Sequence, residues 1–312
     1  MLRPASIRQA VRFPATTGTM LLSLAVTIAW WAGVNCSLLF ADAHIGHGQL
    51  HRLLTSALLH RDPLHLAFNF YWLWTFGVLI ERHVGSAKTF ALYVALAIGS
   101  GAAEHALLTG GVGLSGIVYG LFGLLWLFWK RRPDDHRFHN AVDRKTEICF
   151  AAWFIICVVM TLTDLLPVGN IAHLAGAMIG MSVGWAMMRF DAPRRSLAVP
   201  AAAVLLLIFA AVFARAHINL SAHAGEREAS LGYLALSENR DAQAARWMRE
   251  ATAMNPEIAS WWFNYAVAQA RLQDHDAALA AYNNAARLDP SNKTYRAARD
   301  DLQTYLATLP TN

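Results

Sequence analysis

The chain has 312 residues, 56% of them hydrophobic and only 15% charged, where a soluble protein carries about a quarter charged residues. That balance excludes a soluble globular enzyme and points to a polytopic membrane protein. The net charge of +5 does not argue for nucleic acid, because the basic residues sit beside apolar segments, where they set topology.

A bilayer-crossing helix needs about 20 mostly apolar residues. Seven segments read as spans: Thr19–Phe40, Leu64–Ile80, Ala87–Leu108, Ser115–Trp129, Thr146–Leu162, Asn170–Phe190 and Leu197–Ala216. The second and fourth are short and interrupted by polar or small residues, so neighbouring helices must shield them or they must line a wet cavity. Arg3, Arg8 and Arg12 precede the first span, and Arg82 and Lys88 follow the second. Lys130, Arg131, Arg132, Arg137, Arg144 and Lys145 follow the fourth, and Arg189, Arg194 and Arg195 the sixth. Loops such as Thr109–Leu114 and Thr163–Gly169 lack cations. Positive loops stay cytoplasmic, so the N-terminus is expected inside and, after seven spans, the C-terminus outside. Ala41-Asp42-Ala43 resembles a signal-cleavage site, but the apolar run before it is longer than a signal core, so the first span is expected to be retained. Cys36, Cys149 and Cys157 are scattered through apolar stretches and form neither a disulfide framework nor a ligand spacing.

Beyond Ala216 the chain becomes polar and repetitive. Glu238–Pro256 and Leu272–Pro290 superimpose at a period of 34: Ala244 matches Ala278, Met248 matches Tyr282, Ala251 matches Ala285 and Pro256 matches Pro290. This resembles the tetratricopeptide repeat, a helix pair with small residues where its helices cross. Asn292–Leu306 reads as a closing helix. The expected organisation is therefore all-α: an N-terminal cytoplasmic segment (1–18), a membrane domain (19–196), an extra seventh span (197–216) and a small helical repeat tail (217–312).

Polar side chains inside membrane helices are costly and tend to be functional. Ser115 opens the fourth span within Gly113-Leu114-Ser115-Gly116, and His173 stands in the sixth within Ala172-His173-Leu174-Ala175-Gly176. An alcohol and a base are the minimum for nucleophilic acyl transfer. The flanking glycines allow unusual dihedrals and close approach, and the unpaired N–H groups of a helix start suit a developing oxyanion. Gly116 and Gly120 on one helix and Gly176 and Gly180 on the other share a four-residue spacing that makes grooves for helix contact. Facing grooves would bring His173 to Ser115. Tyr119, four residues after Ser115, lies on the same face and is placed to pack beneath the imidazole. His65 and Asn69, also four apart, are candidate oxyanion donors from the second span. No carboxylate neighbours His173 in sequence. Asp164 and Glu104 lie near membrane ends and either could orient it, but a two-residue device with packing as third member is expected. His44, His47, His51, His60 and His65 are dense, yet no HExxH occurs and no carboxylate has ligand spacing, so no metal or cofactor is expected.

Four ordered stretches carry a family resemblance: Leu64-His65-Leu66-Ala67-Phe68-Asn69, then Glu81 to Lys88, then Gly113 to Gly120, then Ala172 to Gly176. Over roughly Gln49–Arg189 the chain resembles the rhomboid intramembrane serine proteases. The resemblance implies a six-helix catalytic core, with Ser115 as nucleophile, His173 as general base, His65, Asn69 and the Ser115 N–H as oxyanion hole, and Tyr119 packed on the histidine. It implies water access from the outer face and membrane-spanning protein substrates cut near the outer end of a helix that unwinds easily. The family's first loop is half submerged and often carries a Trp-Arg pair, where this chain has His51-Arg52. A bacterial plasma-membrane location is expected, with membrane-protein substrates and the bilayer as partners and a protein partner on the tail. Silent relatives that hold or escort membrane clients usually lack the serine or the histidine, and this chain keeps both. A seven-span transporter or receptor would show repeated halves or paired midplane charges, which the sequence does not.

Overall fold

The computed structural model describes residues 7–108, 110–135, 137–138, 141–163, 165–166, 168–189, 193–220 and 225–308. Every regular element among them is helical, and the chain separates into two compact units, Met1–Leu220 and Ser221–Asn312.

The first unit contains a helix for each expected span. They are α1 (Pro14–Trp31), α2 (Pro63–Val84), α3 (Ser86–Leu107), α4 (Ser115–Arg131), α5 (Arg144–Leu162), α6 (Asn170–Met187) and α7 (Ala198–Phe209). Three of these, α2, α3 and α5, are long and apolar enough to cross a membrane by length and composition alone. The first differs from its expected bounds at both ends. Pro14 starts α1 at its first turn, where a missing N–H costs nothing, and Gly33, at φ +88°, ends it in the left-handed conformation that stops helices. The apolar run from Val34 to Phe40 lies beyond that stop. Two other starts carry aspartate caps: Asp62 accepts the His65 N–H at 2.8 Å, and Asp143 accepts the Thr146 N–H at 2.8 Å.

Elsewhere the caps come from distant residues. The buried Glu81 of α2 accepts the N–H groups of Ala15 and Thr16, each at 2.9 Å, and the Thr16 hydroxyl at 2.7 Å. It thereby satisfies the start of α1 from across the bundle. After α7 the chain passes through a wider turn, Ala210–Ala214, and then closes the other end of α3. Arg215 Nε donates to the His105 carbonyl at 2.8 Å, Asn219 Nδ2 to the Leu108 carbonyl at 2.9 Å, and the Leu220 N–H to the Leu107 carbonyl at 2.7 Å. The extra span also buries Ala211 against Ile45, Leu53, Ala102 and Ala106, so it packs on α3 and on the first loop.

That first loop, between α1 and α2, is held by Arg52. Arg52 is 2% exposed, and its guanidinium donates to the carbonyls of Ser37 (2.8 Å) and Phe40 (3.1 Å), to Asp42 Oδ2 (3.0 Å) and, through Nε, to Gln49 (2.7 Å). The arginine anchors the loop although His51 stands beside it in place of a tryptophan.

The tightest packing in this unit joins α4 and α6. A Cβ on Gly180 would overlap the Gly120 carbonyl oxygen, one on Gly176 the Gly116 carbonyl, and one on Gly123 the Ala177 carbonyl. The two glycine rows therefore face each other backbone to backbone, as their spacing predicts.

The second unit is two helix pairs and a closing helix: α8 (Glu226–Ser237) with α9 (Asp241–Met254), α10 (Ala259–Arg271) with α11 (His275–Leu288), then α12 (Lys293–Ala307). The matched positions Ala244/Ala278, Met248/Tyr282 and Ala251/Ala285 are all buried. The turn residues Asn239 and Gln273, also 34 apart, both take positive φ, 57° and 64°. The repeat is thus structural down to its turns.

Gly180→Val would drive a branched side chain into the Gly120 carbonyl. It is expected to destabilise the membrane unit by about 3 kcal/mol, measured by equilibrium unfolding in mixed micelles, whereas Gly18→Val, which meets nothing within 4 Å, should leave the midpoint unchanged.

Candidate active site

Ser115 is the first residue of α4, so its own N–H is among the helix-start donors without an intrahelical partner. Gly113, two residues earlier, has φ +114°, and a Cβ there would sit 2.6 Å from His65 Cε1 and 2.7 Å from its Nε2. Only glycine allows both that backbone and that close an imidazole. The Gly113 N–H donates to the Ser56 carbonyl at 3.3 Å, and the Leu114 N–H donates to His60 Nε2, also at 3.3 Å.

His60 was not singled out in the sequence beyond its place in a histidine-rich run. Its side chain is wholly buried, with Nδ1 3.3 Å from the Ser23 hydroxyl. Because Nε2 accepts from Leu114, the proton sits on Nδ1 and points at α1. Ser23 and Thr27 in turn donate to the Leu58 carbonyl at 2.7 and 3.1 Å. A chain of hydrogen bonds thus runs from α1 through His60 to the residue before Ser115. The only sequence signal for it was a histidine five residues before His65, together with hydroxyls inside an apolar span.

His65 lies 4.9 Å from His60, ring to ring, against the Gly113 turn. Asn69 is buried, donates one amide N–H to the His65 carbonyl at 2.9 Å, and leaves its Oδ1 without a partner among the described residues. Its second N–H remains for another acceptor.

His173 sits in the first turns of α6 and is 3% exposed. Its ring stacks on Tyr119, centroids 4.4 Å apart and planes within 14°, while Phe150 meets Tyr119 edge-on at 5.2 Å from another side. Among the described residues the Nδ1 of His173 has no hydrogen-bond partner. A Cβ on Gly116 would lie 3.7 Å from the Ala172 carbonyl oxygen, so residues 115–116 and 172–173 meet at one level of the α4–α6 crossing. Among the described residues, no hydrogen bond joins Ser115 to His173. Such bonds are often long or unmade in a resting site and tighten with substrate.

Glu104, weighed in the sequence as an orienter, is buried and accepts the Ala172 N–H at 2.8 Å. It reaches the backbone of α6 rather than an imidazole nitrogen. Asp164, the other candidate, lies outside the described residues. A cavity of about 30 Å³ opens beside Ser115, walled by Ser56, Ser100, Glu104, Gly113 and Ala172 among others. That is room for one or two water molecules with polar partners.

A family model described as the rhomboid domain matches residues 47–190. Over those residues the chain is similar to the rhomboid domain. A tetratricopeptide repeat model matches residues 259–292, which span α10 and α11. Relatives named rhomboid protease GlpG are similar to the chain. The protein of Photorhabdus laumondii is 34% identical over 137 residues, 43% of this chain and 46% of its own length. That of Serratia proteamaculans is 33% identical over 135 residues, 43% and 46%. That of Pectobacterium atrosepticum is 31% identical over 174 residues, 54% and 60%. The chain spans about half the length of the curated relatives it matches. The rhomboid match takes in α2 to α6 and the Arg52 loop, while α1 and α7 lie outside it.

Removing the His60 side chain would strand the buried Leu114 N–H. His60→Ala is expected to cost about 1–3 kcal/mol of folding stability, and His60→Gln, which can still offer an acceptor, less than half of that, both read from unfolding midpoints in micelles.

Proposed function

We propose that this chain is an intramembrane serine endopeptidase acting on membrane-spanning proteins, with Ser115 as nucleophile and His173 as general base. The observation that carries the reading is the His173 imidazole stacked on Tyr119, one helical turn from Ser115, at a crossing where glycines let two backbones touch. The names of the similar proteins point the same way.

In this reading Ser115 Oγ attacks a substrate carbonyl as His173 takes its proton, and the tetrahedral oxyanion is met by the Ser115 N–H, by His65 and by the free N–H of Asn69. Collapse breaks the peptide bond, His173 returns the proton to the leaving amine, and the acyl group stays on Ser115. A water from the adjoining cavity, activated by His173, then releases the acid product. Gly113 and Gly116 supply the backbone freedom and the contact that hold Ser115 there, and Gly176 does the same for the histidine helix. A helical peptide bond is shielded and its carbonyl already bonded, so substrates are spans that unwind readily near their outer end.

In this reading the cation-rich loops face the cytoplasm, with the N-terminus inside and the tail outside, and the membrane is a bacterial inner membrane, as the family resemblance implies. The repeat tail offers a protein-docking surface there, for a substrate or partner. Preservation of both Ser115 and His173 favours a working enzyme over a silent client-binding protein.

Ser115→Ala and His173→Ala should each abolish cleavage of a model transmembrane substrate in proteoliposomes while leaving the helical spectrum unchanged. Asn69→Ala should lower kcat by about 100-fold. Undiminished cleavage by Ser115→Ala would reject the nucleophile. Deleting residues 222–312 should alter which membrane proteins are cut in cells without changing kcat on the model substrate. An unaltered set of released fragments would remove the docking role.

A further inference from the structure

Small-residue helix contacts set how near two axes lie, but they interlock few side chains that resist sliding. The α4–α6 crossing is of this kind along Gly116, Gly120, Gly176 and Gly180, and His173 rides on the helix that could slide. Something else must fix α6 along its axis. At its start, Gly169 brings no side-chain cap; the Asn170 N–H turns back to the Val168 carbonyl at 2.8 Å, and among the described residues the N–H groups of Ile171 and Ala172 have no local acceptor. Unpaired N–H groups in an apolar setting cost several kcal/mol. Two distant side chains act there. Asn170 Nδ2 donates to Thr161 Oγ1 of α5 at 2.8 Å. On the other flank the Glu104 carboxylate of α3 accepts the N–H of Ala172 at 2.8 Å, the residue directly before His173.

Glu104 is placed for more than solvation of a helix end. It is 3% exposed, it sits on α3 four residues before that helix gives way to the Gly110–Gly113 loop leading to Ser115, and it walls the cavity that Ser115 opens on. A carboxylate also suits the positive end of a helix dipole. One side chain therefore ties the helix bearing the histidine to the segment that delivers the serine.

We propose that Glu104 is a positioning residue of the active site: by capping α6 from α3 at Ala172 it sets the axial place of His173 relative to Ser115, the part a third triad member plays through the imidazole itself. This rests on the Ser115–His173 reading of the site. Misplacement by about 1 Å can cost 100-fold in rate, so losing the cap should appear in kcat and not in substrate binding.

The test uses the full chain in proteoliposomes, with Glu104→Ala and Glu104→Gln compared with wild type. A glutamine still offers a carbonyl oxygen to the Ala172 N–H. Active enzyme is counted by fluorophosphonate labelling of Ser115, so any misfolded fraction drops out of kcat. Glu104→Ala is expected to lower kcat per labelled site by about 100-fold with KM within twofold, and to speed amide hydrogen exchange at Ile171 and Ala172. Glu104→Gln is expected to recover most of the rate and the wild-type exchange. Accelerated exchange with an unchanged kcat would overturn the positioning role, and so would a Gln variant as slow as Ala, since that would assign the effect to charge. Should Glu104→Ala fail to fold, the Gln variant and its exchange decide alone. If wild-type Ser115 neither labels nor cleaves, the proteolytic reading fails visibly and first, and the positioning role falls with it while the exchange arm still reports the cap.

Discussion

The site depends on the contact of two helices that have given up their side chains where they meet. On α4 and α6 the glycines stand so close that a single Cβ would overlap a facing carbonyl oxygen at Gly176 and Gly180. In an apolar surrounding there is little hydrophobic force to push helices together, so close packing and hydrogen bonds must do it. The consequence is geometric. At that separation Tyr119, on α4 between Gly116 and Gly120, and His173, on α6 just before Gly176, are brought ring to ring, one helical turn from Ser115. The ring stack of Tyr119 on His173 is the visible result, and the chemistry proposed for Ser115 is built around this crossing.

A second constraint follows from taking backbone out of water. Each helix end leaves polar groups without partners, and in this unit many of the answers come from far along the chain. Glu81 closes the start of α1 from 65 and 66 residues away, Glu104 closes the start of α6 from 68, and Arg215 with Asn219 closes the end of α3 from more than 100. Buried charge is expensive in such a place, and a role in capping is what retains it. These long-range caps also bind the bundle together. Each joins elements that short loops do not connect, and the seventh span earns its place through the last of them.

The sequence made much of this legible and some of it not. The glycine rows, the tyrosine platform and the 34-residue repeat all follow from local spacing, and they appear in the structure at Gly116/Gly176, Tyr119/His173 and Ala244/Ala278. Hydropathy misjudged the first helix because it continued the apolar run past Gly33, whose left-handed backbone is a local conformational fact invisible to a sum over side chains. Glu104 was visible as an acid near a membrane end, but its partner is a backbone N–H, and backbone donors carry no letter in a sequence. His60 was hidden for the same reason: its acceptor nitrogen serves the Leu114 N–H.

Among the described residues no carboxylate meets the His173 imidazole, which changes how a base proposed there would be built. In a three-membered device the acid fixes tautomer and ring angle at once. Here a flat tyrosine, itself braced edge-on by Phe150, fixes the angle through ring contact, while Nδ1 stays buried without a partner among the described residues. A stack resists tilting but permits sliding in its plane, so translation needs a separate restraint. The helix contact cannot supply it, being smooth along its axis, and the cap at Ala172 can. Orientation and position of one histidine would then be held by different side chains from different helices, Tyr119 for the angle and Glu104 for the place. Substitutions at the two should therefore combine as nearly independent losses rather than as a single broken unit.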